Sequence, residues 1–223
     1  MMGRGPDRRP VSLTAAPMRP AISLVSLLAA SATGLAAQTP AAHPAGHHAA
    51  PPAAEQIAAA VLPLPAEMRA TATVLGYDAA GKLVTLREGS GAMRCLADDP
   101  AQENFHVACY HRALEPFMAR GRSLRAEGVK GTEVDTVRFR EIAAGKLTMP
   151  RAGGALYTLT GPAGSWNAAT GKATGVRPLF VYYMPGATGA TSGITETPSR
   201  TEPWLMFPGT PKAHVMLVGT MTP

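Results

Sequence analysis

Residues Arg69–Arg87 read RATATVLGYDAAGKLVTLR. Two β-forming runs, Arg69–Gly76 and Lys82–Arg87, flank Asp78-Ala79-Ala80-Gly81. A Gly-bearing turn between such runs predicts a hairpin. Working outward, Gly89-Ser90-Gly91 precedes a shorter run, Ala92–Leu96, which predicts a third strand. On the other side, Ala53–Leu62 predicts a short helix that Pro63 and Pro65 end.

Further along, Tyr110, Leu114, Phe117, Met118 and Leu124 recur at helical spacing and predict a helix over Cys109–Glu127. Pro116 either kinks it or moves its start to about Glu115, and Gly128 and Gly131 end it. Thr132–Ala144 predicts a second helix with Thr132 as N-cap, Glu133 and Asp135 in the first turn, and Val134, Val137 and Ile142 inward. A strand is the alternative there. From Ala155 the pattern turns to β: Ala155–Thr160, Leu179–Met184, Pro203–Phe207 and Ala213–Val218 are apolar runs separated by Gly/Pro/Ser/Thr-rich loops. Strands at both ends with helices between predict one α+β domain over 55–223, with a mostly antiparallel sheet and two or three helices packed on one face.

The first fifty residues read as an address rather than as fold. Arg4, Arg8, Arg9 and Arg19 precede the apolar run Ala21–Ala30 and the small-residue exit Gly34-Leu35-Ala36-Ala37. That is the pattern of a secretory signal peptide over 1–37, or over 18–37 if Met18 is the start. Arg8-Arg9 also resembles a twin-arginine signal, although it lies far from the apolar run. Residues 38–54, QTPAAHPAGHHAAPPAA, read as a disordered Ala/Pro/His linker whose His43, His47 and His48 suit adventitious Cu(II), Ni(II) or Zn(II) binding. The formal charge is +6, and four Arg against one Asp place half of it in 1–50. The remaining surplus is too thin for a nucleic-acid footprint. Arg112, Arg120, Arg122, Arg125 and Lys130, interleaved with Glu115 and Glu127, read as one solvated helix face.

Cys95 and Cys109 are the only two cysteines, and in an oxidising compartment they predict a disulfide closing a 15-residue loop. The competing reading is a Cys nucleophile beside His106 or His111. His106, His111 and His214, with Asp98, Asp99 and Glu103, are the residues from which a metal site would be assembled, but their spacing fixes no ligand set. Ser90 and Ser165 lack a nucleophile elbow, and there is no P-loop, dinucleotide fingerprint, HExxH or CxxC. Met93, Met118, Met184, Met206 and Met216 are scattered singly, which favours core packing over a Cu(I) cluster.

Leu86-Arg87-Glu88-Gly89-Ser90, Cys95-Leu96-Ala97-Asp98-Asp99-Pro100, Cys109 and the ending PWLMFPGTPKAHVM (203–216) together resemble an uncharacterised family of exported bacterial proteins. That family's pattern is LREG(S/T)-Asn-Gly-aromatic-Thr-Cys, a second Cys about a dozen residues on, and a C-terminal PWxMxxGTPxAHxM segment. Gly91-Ala92-Met93-Arg94 departs from it, as does Pro178-Leu179, where the family places Pro-His. The 130–150 region has no counterpart. The resemblance implies an exported, disulfide-bonded domain and supplies no reaction. The leading expectation is a non-enzymatic envelope protein binding a small molecule or envelope component, without cofactor or metal, nucleic acid, or stable membrane insertion. Trp204, Thr210, His214, His111 and Asp98 are its candidate binding residues. The rival is a hydrolase or metal-dependent enzyme using His214 with His111 or Asp98.

Overall fold

The hairpin turn forms because the Asp78 side chain substitutes for a backbone acceptor. Its Oδ1 accepts from the amides of Ala80 and Lys82, both at 2.9 Å, and Gly81 takes the left-handed φ of +74° that the turn needs. Strand β1 (Thr73–Tyr77) and strand β2 (Leu83–Arg87) are the arms. The chain then doubles back over the start of β1 through Glu88–Ala92. A Cβ on Gly89 would lie 2.2 Å from the Thr71 carbonyl oxygen, so only glycine lets the two backbones pass. Gly91 donates its amide to that oxygen at 2.8 Å, and the Arg87 guanidinium donates to the carbonyls of Arg69 and Ala72. This crossing sets β3 (Met93–Leu96) parallel to β1.

The coordinates, a computed structural model, describe residues 49–219, which all fall in the unit His43–Pro223. The expected signal peptide and most of the expected linker lie outside the described residues. Helix α1 (Ala53–Ala60) begins inside the stretch read as linker, with Pro52 as its N-cap. A four-residue helix α2 (Ala66–Arg69) follows. After β3 come β4 (Phe105–His111), a 3-10 turn at Arg112–Leu114, α3 (Glu115–Ala126) and α4 (Glu133–Ala143). Then come β5 (Gly154–Gly161), the two-residue strands β6 (Trp166–Asn167) and β7 (Lys172–Ala173), and β8 (Arg177–Tyr183). The short α5 (Gly189–Ser192), β9 (Trp204–Met206) and β10 (His214–Val218) complete the order. Eight strands form one sheet in the order β2-β1-β3-β4-β5-β8-β10-β9, antiparallel except at β1–β3, and β6 pairs with β7 apart from it. The domain is α+β.

Two local expectations are corrected. The helix does not start at Cys109: Phe105, Val107 and Cys109 alternate inward as a strand, and Pro116 in the first turn of α3 moves the start to Glu115, the alternative that the sequence offered. Thr132 precedes α4 in helical geometry without a side-chain cap; its carbonyl, rather than its hydroxyl, receives the first helical amides.

Strand alternation decides the layers. Tyr110, Val181 and Tyr183 point to the face covered by α3 and α4, where they pack with Leu114 and Phe117. Val74, Cys95 and Cys109 point the other way, against Ala60, Val61 and Leu64 in and after α1. Helices therefore lie on both faces, with the two long ones together on one.

Cys95 and Cys109 are register partners in β3 and β4, 4.0 Å apart at Cα, fully buried and disulfide-bonded. The bond joins strand to strand, where the sequence suggested strand to helix. Replacing both cysteines by Ala removes the loop closure from the unfolded state, and a urea titration should show a loss of about 3 kcal/mol.

Candidate functional site

The loop between the two cysteines forms one wall of a cleft. Asp98, Asp99, Glu103 and Phe105 from that loop face Glu55, Gln56 and Ala59 of α1, and Trp166 with the Ala163–Gly164 turn closes a cleft of about 420 Å³. Its walls are well fixed. Gln56 is buried and saturated: Nε2 donates to the carbonyls of Pro51 (2.7 Å) and Tyr77 (2.8 Å), while Oε1 accepts from the Tyr77 amide (2.8 Å). That three-bond clasp pins α1 to the end of β1. The Asp98 carboxylate accepts from the His106 amide at 2.7 Å, and Asp99 Oδ1 caps its own turn by accepting from Ala101.

Among the described residues the cleft lining carries four carboxylates and no Lys, Arg or His. Burial pushes the Asp98 carboxyl above its ordinary range, the His106 amide pulls against it, and the Asp99 charge adds to the rise. The nearby Tyr77 hydroxyl is pushed up to about 12 by burial and by the charges of Asp99 and Asp98. On the apolar wall, the indole N–H of Trp166 is buried without a hydrogen-bond partner among the described residues. An acidic rim beside an apolar wall is suited to a ligand that brings both a positive charge and an apolar portion.

The other candidates lie elsewhere. His111 ends β4, accepts the Ala113 amide on Nδ1 at 3.2 Å, and lines a 260 Å³ hollow with Met68, Met93 and Tyr157 on the α1 side of the sheet. His214 lies on the opposite face, packed against Tyr183 and Phe207 at ring distances of 5.1 and 5.7 Å. Three strand spacings separate β4 from β10, roughly 14 Å. Asp98 stands at the far end of β4 from His111: it holds the His106 amide, and His106 is five residues, roughly 17 Å, along the strand from His111. The structure does not bring His214, His111 and Asp98 together. Among the described residues no three His, Cys, Asp or Glu side chains group to hold a metal, and no helix is long and apolar enough to cross a membrane.

The two quoted motifs serve the fold. Arg87, Gly89 and Gly91 bind the β1–β3 crossing. In the C-terminal segment Phe207 adopts a left-handed φ of +56°. The Thr210 hydroxyl donates to the Phe207 carbonyl at 2.8 Å, and the Thr210 carbonyl accepts from Gly186 at 2.9 Å. Trp204 is the β10 partner of Met216 and lies half-buried on the face of α3 and α4. His214 is 5% exposed, and its Nδ1 is 2.6 Å from the Lys212 carbonyl, which as an acceptor places the proton on Nδ1. Sequence reasoning missed Glu55, Gln56 and Trp166; three carboxylates crowded into Asp98–Glu103 were the available signal. No family model, curated protein or solved structure matches the chain.

Beside His214, Asp135 of α4 accepts from Lys212 at 2.8 Å and from Arg138, whose guanidinium is stacked on Phe117 at 3.7 Å. Burial raises the Asp135 carboxyl, but the hydrogen bonds from Lys212 and Arg138 outweigh it and hold the group below its usual range. Asp135→Ala leaves Arg138, 4% exposed, without its counter-ion and should cost about 3 kcal/mol in chemical denaturation. Burial also lowers His214 from its ordinary 6.5. The unfolded chain then takes up that proton first, so stability should fall as pH drops below 6.5 through the lowered folded value. In His214→Phe this part of the pH–stability profile should flatten.

Proposed function

We propose that this chain is an exported, non-enzymatic binding domain of the bacterial envelope, and that its ligand is a small molecule with a cationic group and an apolar portion held in the Asp98–Trp166 cleft. The Arg-led apolar run ending in small residues, the buried Cys95–Cys109 pair and the family resemblance of the two motifs support export. The observation that carries the ligand class is the cleft itself: among the described residues, four carboxylates with no basic side chain in the lining, facing an apolar wall that includes Trp166. Carboxylates left without counter-ions repel one another, so a cation entering the cleft relieves a cost already present in the folded protein.

The same electrostatics speak against a nucleic-acid partner. Arg120 is paired with Glu141 and Glu127, and Arg122 and Arg94 are paired with Glu115, so these arginines are engaged within the protein. Candidate residues Trp204, Thr210, His214 and His111 act in this reading as scaffold, and Asp98 as a ligand-binding group.

The chain has two tryptophans, so Trp204→Phe leaves Trp166 as a single reporter in the cleft wall. Titration with spermidine and with phenethylamine at low salt should shift Trp166 emission and raise Tm, whereas succinate should do neither. Asp98→Asn with Glu103→Gln should weaken amine binding at least about tenfold, the loss of one or two charge-assisted contacts. Because the folded Asp98 pKa is raised, its ionised form opposes folding at neutral pH, and Asp98→Asn should leave Tm at pH 7 equal or higher. Equal response to amines and succinate, or no response to any amine, would sink the reading.

A further inference from the structure

Met93 and His111 are register partners across β3 and β4, two residues along from the Cys95–Cys109 pair. The Arg112 amide donates to the Ala92 carbonyl at 2.8 Å, so the next pair, Met93 with His111, is one of those without mutual backbone bonds, where facing side chains come closest. The cysteine pair is of the same kind, with its Cα atoms 4.0 Å apart. Both side chains point to the α1 side, where Met68 of α2 and Tyr157 of β5 close the 260 Å³ hollow around them. The segment bearing Met68 is fixed: the Arg69 guanidinium donates to the carbonyls of Leu64 at 2.8 Å and Leu62 at 3.0 Å, and the Thr71 hydroxyl donates to the Met68 carbonyl at 3.3 Å. Met93 is 7% exposed and Met68 37%, so one methionine is sheltered and the other lies at the mouth.

We propose that Met68, Met93 and His111 form a binding site for a soft monovalent metal ion, Cu(I), with two thioethers and one imidazole as its ligands. The donors decide the class of ion. Thioether sulfur and neutral imidazole carry no charge, and among the described residues the lining of the hollow holds no carboxylate, which hard divalent ions require. Soft sulfur selects Cu(I) instead. Both cysteines of the chain are tied up in the disulfide, so no thiolate competes for the ion. Directly opposed residues hold their Cβ atoms roughly 4.5–5.5 Å apart, a span that a thioether and a ring can bridge through one ion. His111 Nδ1 accepts the Ala113 amide, which leaves Nε2 for the metal. A neutral ring with the ion on Nε2 keeps its single proton on Nδ1, so loading moves that proton from Nε2 to Nδ1 and releases the Ala113 amide. At 3.2 Å this is a long contact to give up. The hollow lies at the His111 end of β4 and the acidic cleft at its Phe105 end, so the two sites stand or fall separately.

Ag(I), a redox-inert ion of the same charge and softness, is the probe. It is added in chloride-free buffer to the whole protein carrying His43→Ala, His47→Ala and His48→Ala, so that the linker histidines do not compete. Titration should shift the ε-methyl resonances of Met68 and Met93 and the Ala113 amide together in NMR spectra, with saturation at one equivalent. Exchange of Met for Leu conserves volume and removes the sulfur. Met68→Leu and Met93→Leu should therefore fold as the parent does and each weaken Ag(I) binding at least about tenfold. Cu(I), competed against bicinchoninate without oxygen, should follow the same order, and Zn(II) should leave the three signals in place. Ag(I) affinity unchanged in the double Leu variant would mark an adventitious ion only. That result, or Met68 and Met93 signals unmoved by Ag(I), or Zn(II) filling the hollow as Ag(I) does, overturns the proposal.

Discussion

The structure depends on a covalent bond between two opposed residues of short strands. β3 has four residues and stands at the seam where the sheet changes from parallel to antiparallel pairing. So short a strand gains little from its own ladder. Cys95–Cys109 fixes it to β4 in register and is buried on the α1 side, with Val74, Ala60 and Leu64 in the same cluster. The bond also ends the loop that carries Asp98, Asp99 and Glu103. Three carboxylates on one free loop would spread apart. Held at its base by the disulfide, and at Asp98 by the His106 amide, the loop keeps them over a defined cleft.

Charge is sorted between the two faces of the sheet. On the α3/α4 side, arginines are consumed in bonds within the protein: Arg138 on Phe117 and Asp135, Arg122 on Tyr110 and Glu115, Arg120 between the helices on Glu141. These contacts tie α3 to α4 and both to the strands beneath. On the α1 side the acidic residues of the cleft have no such partners among the described residues. The formal +6 of the chain is therefore a poor guide to what approaches it, because the surplus lies partly in residues 1–50 and several of the domain's arginines are engaged internally.

Much of the fold was legible because its signals are local. Turn chemistry at Asp78–Gly81, β-branched runs, and Gly or Pro at element ends located the hairpin, the third strand, α4 and the four C-terminal strands. β4 was not legible: Tyr110, Leu114 and Phe117 keep a helical spacing across a strand-to-helix junction, and all three are buried in one cluster, so the pattern is real but the element changes beneath it. The two-residue strands β6 and β7 are too short to leave a period. The cleft was half visible. Asp98, Asp99 and Glu103 crowd one loop, whereas Glu55 and Trp166 come from segments about forty and sixty residues away that only the sheet brings together. Conversely, the residues with the most distinctive sequence context, Trp204, Thr210 and His214, mark a demanding turn and a packed ring. A memorable motif in this protein reports backbone geometry.

The disulfide holds the acidic loop in place, and amide hydrogen exchange over residues 97–106 tests that most directly. In the oxidised protein the His106 amide, bonded to Asp98, should be protected; in protein carrying Cys95→Ala and Cys109→Ala, exchange should accelerate over this loop and β3 while β8 and β10 keep their protection. Equal exchange across 97–106 in the two proteins would show that the bond does not position the cleft.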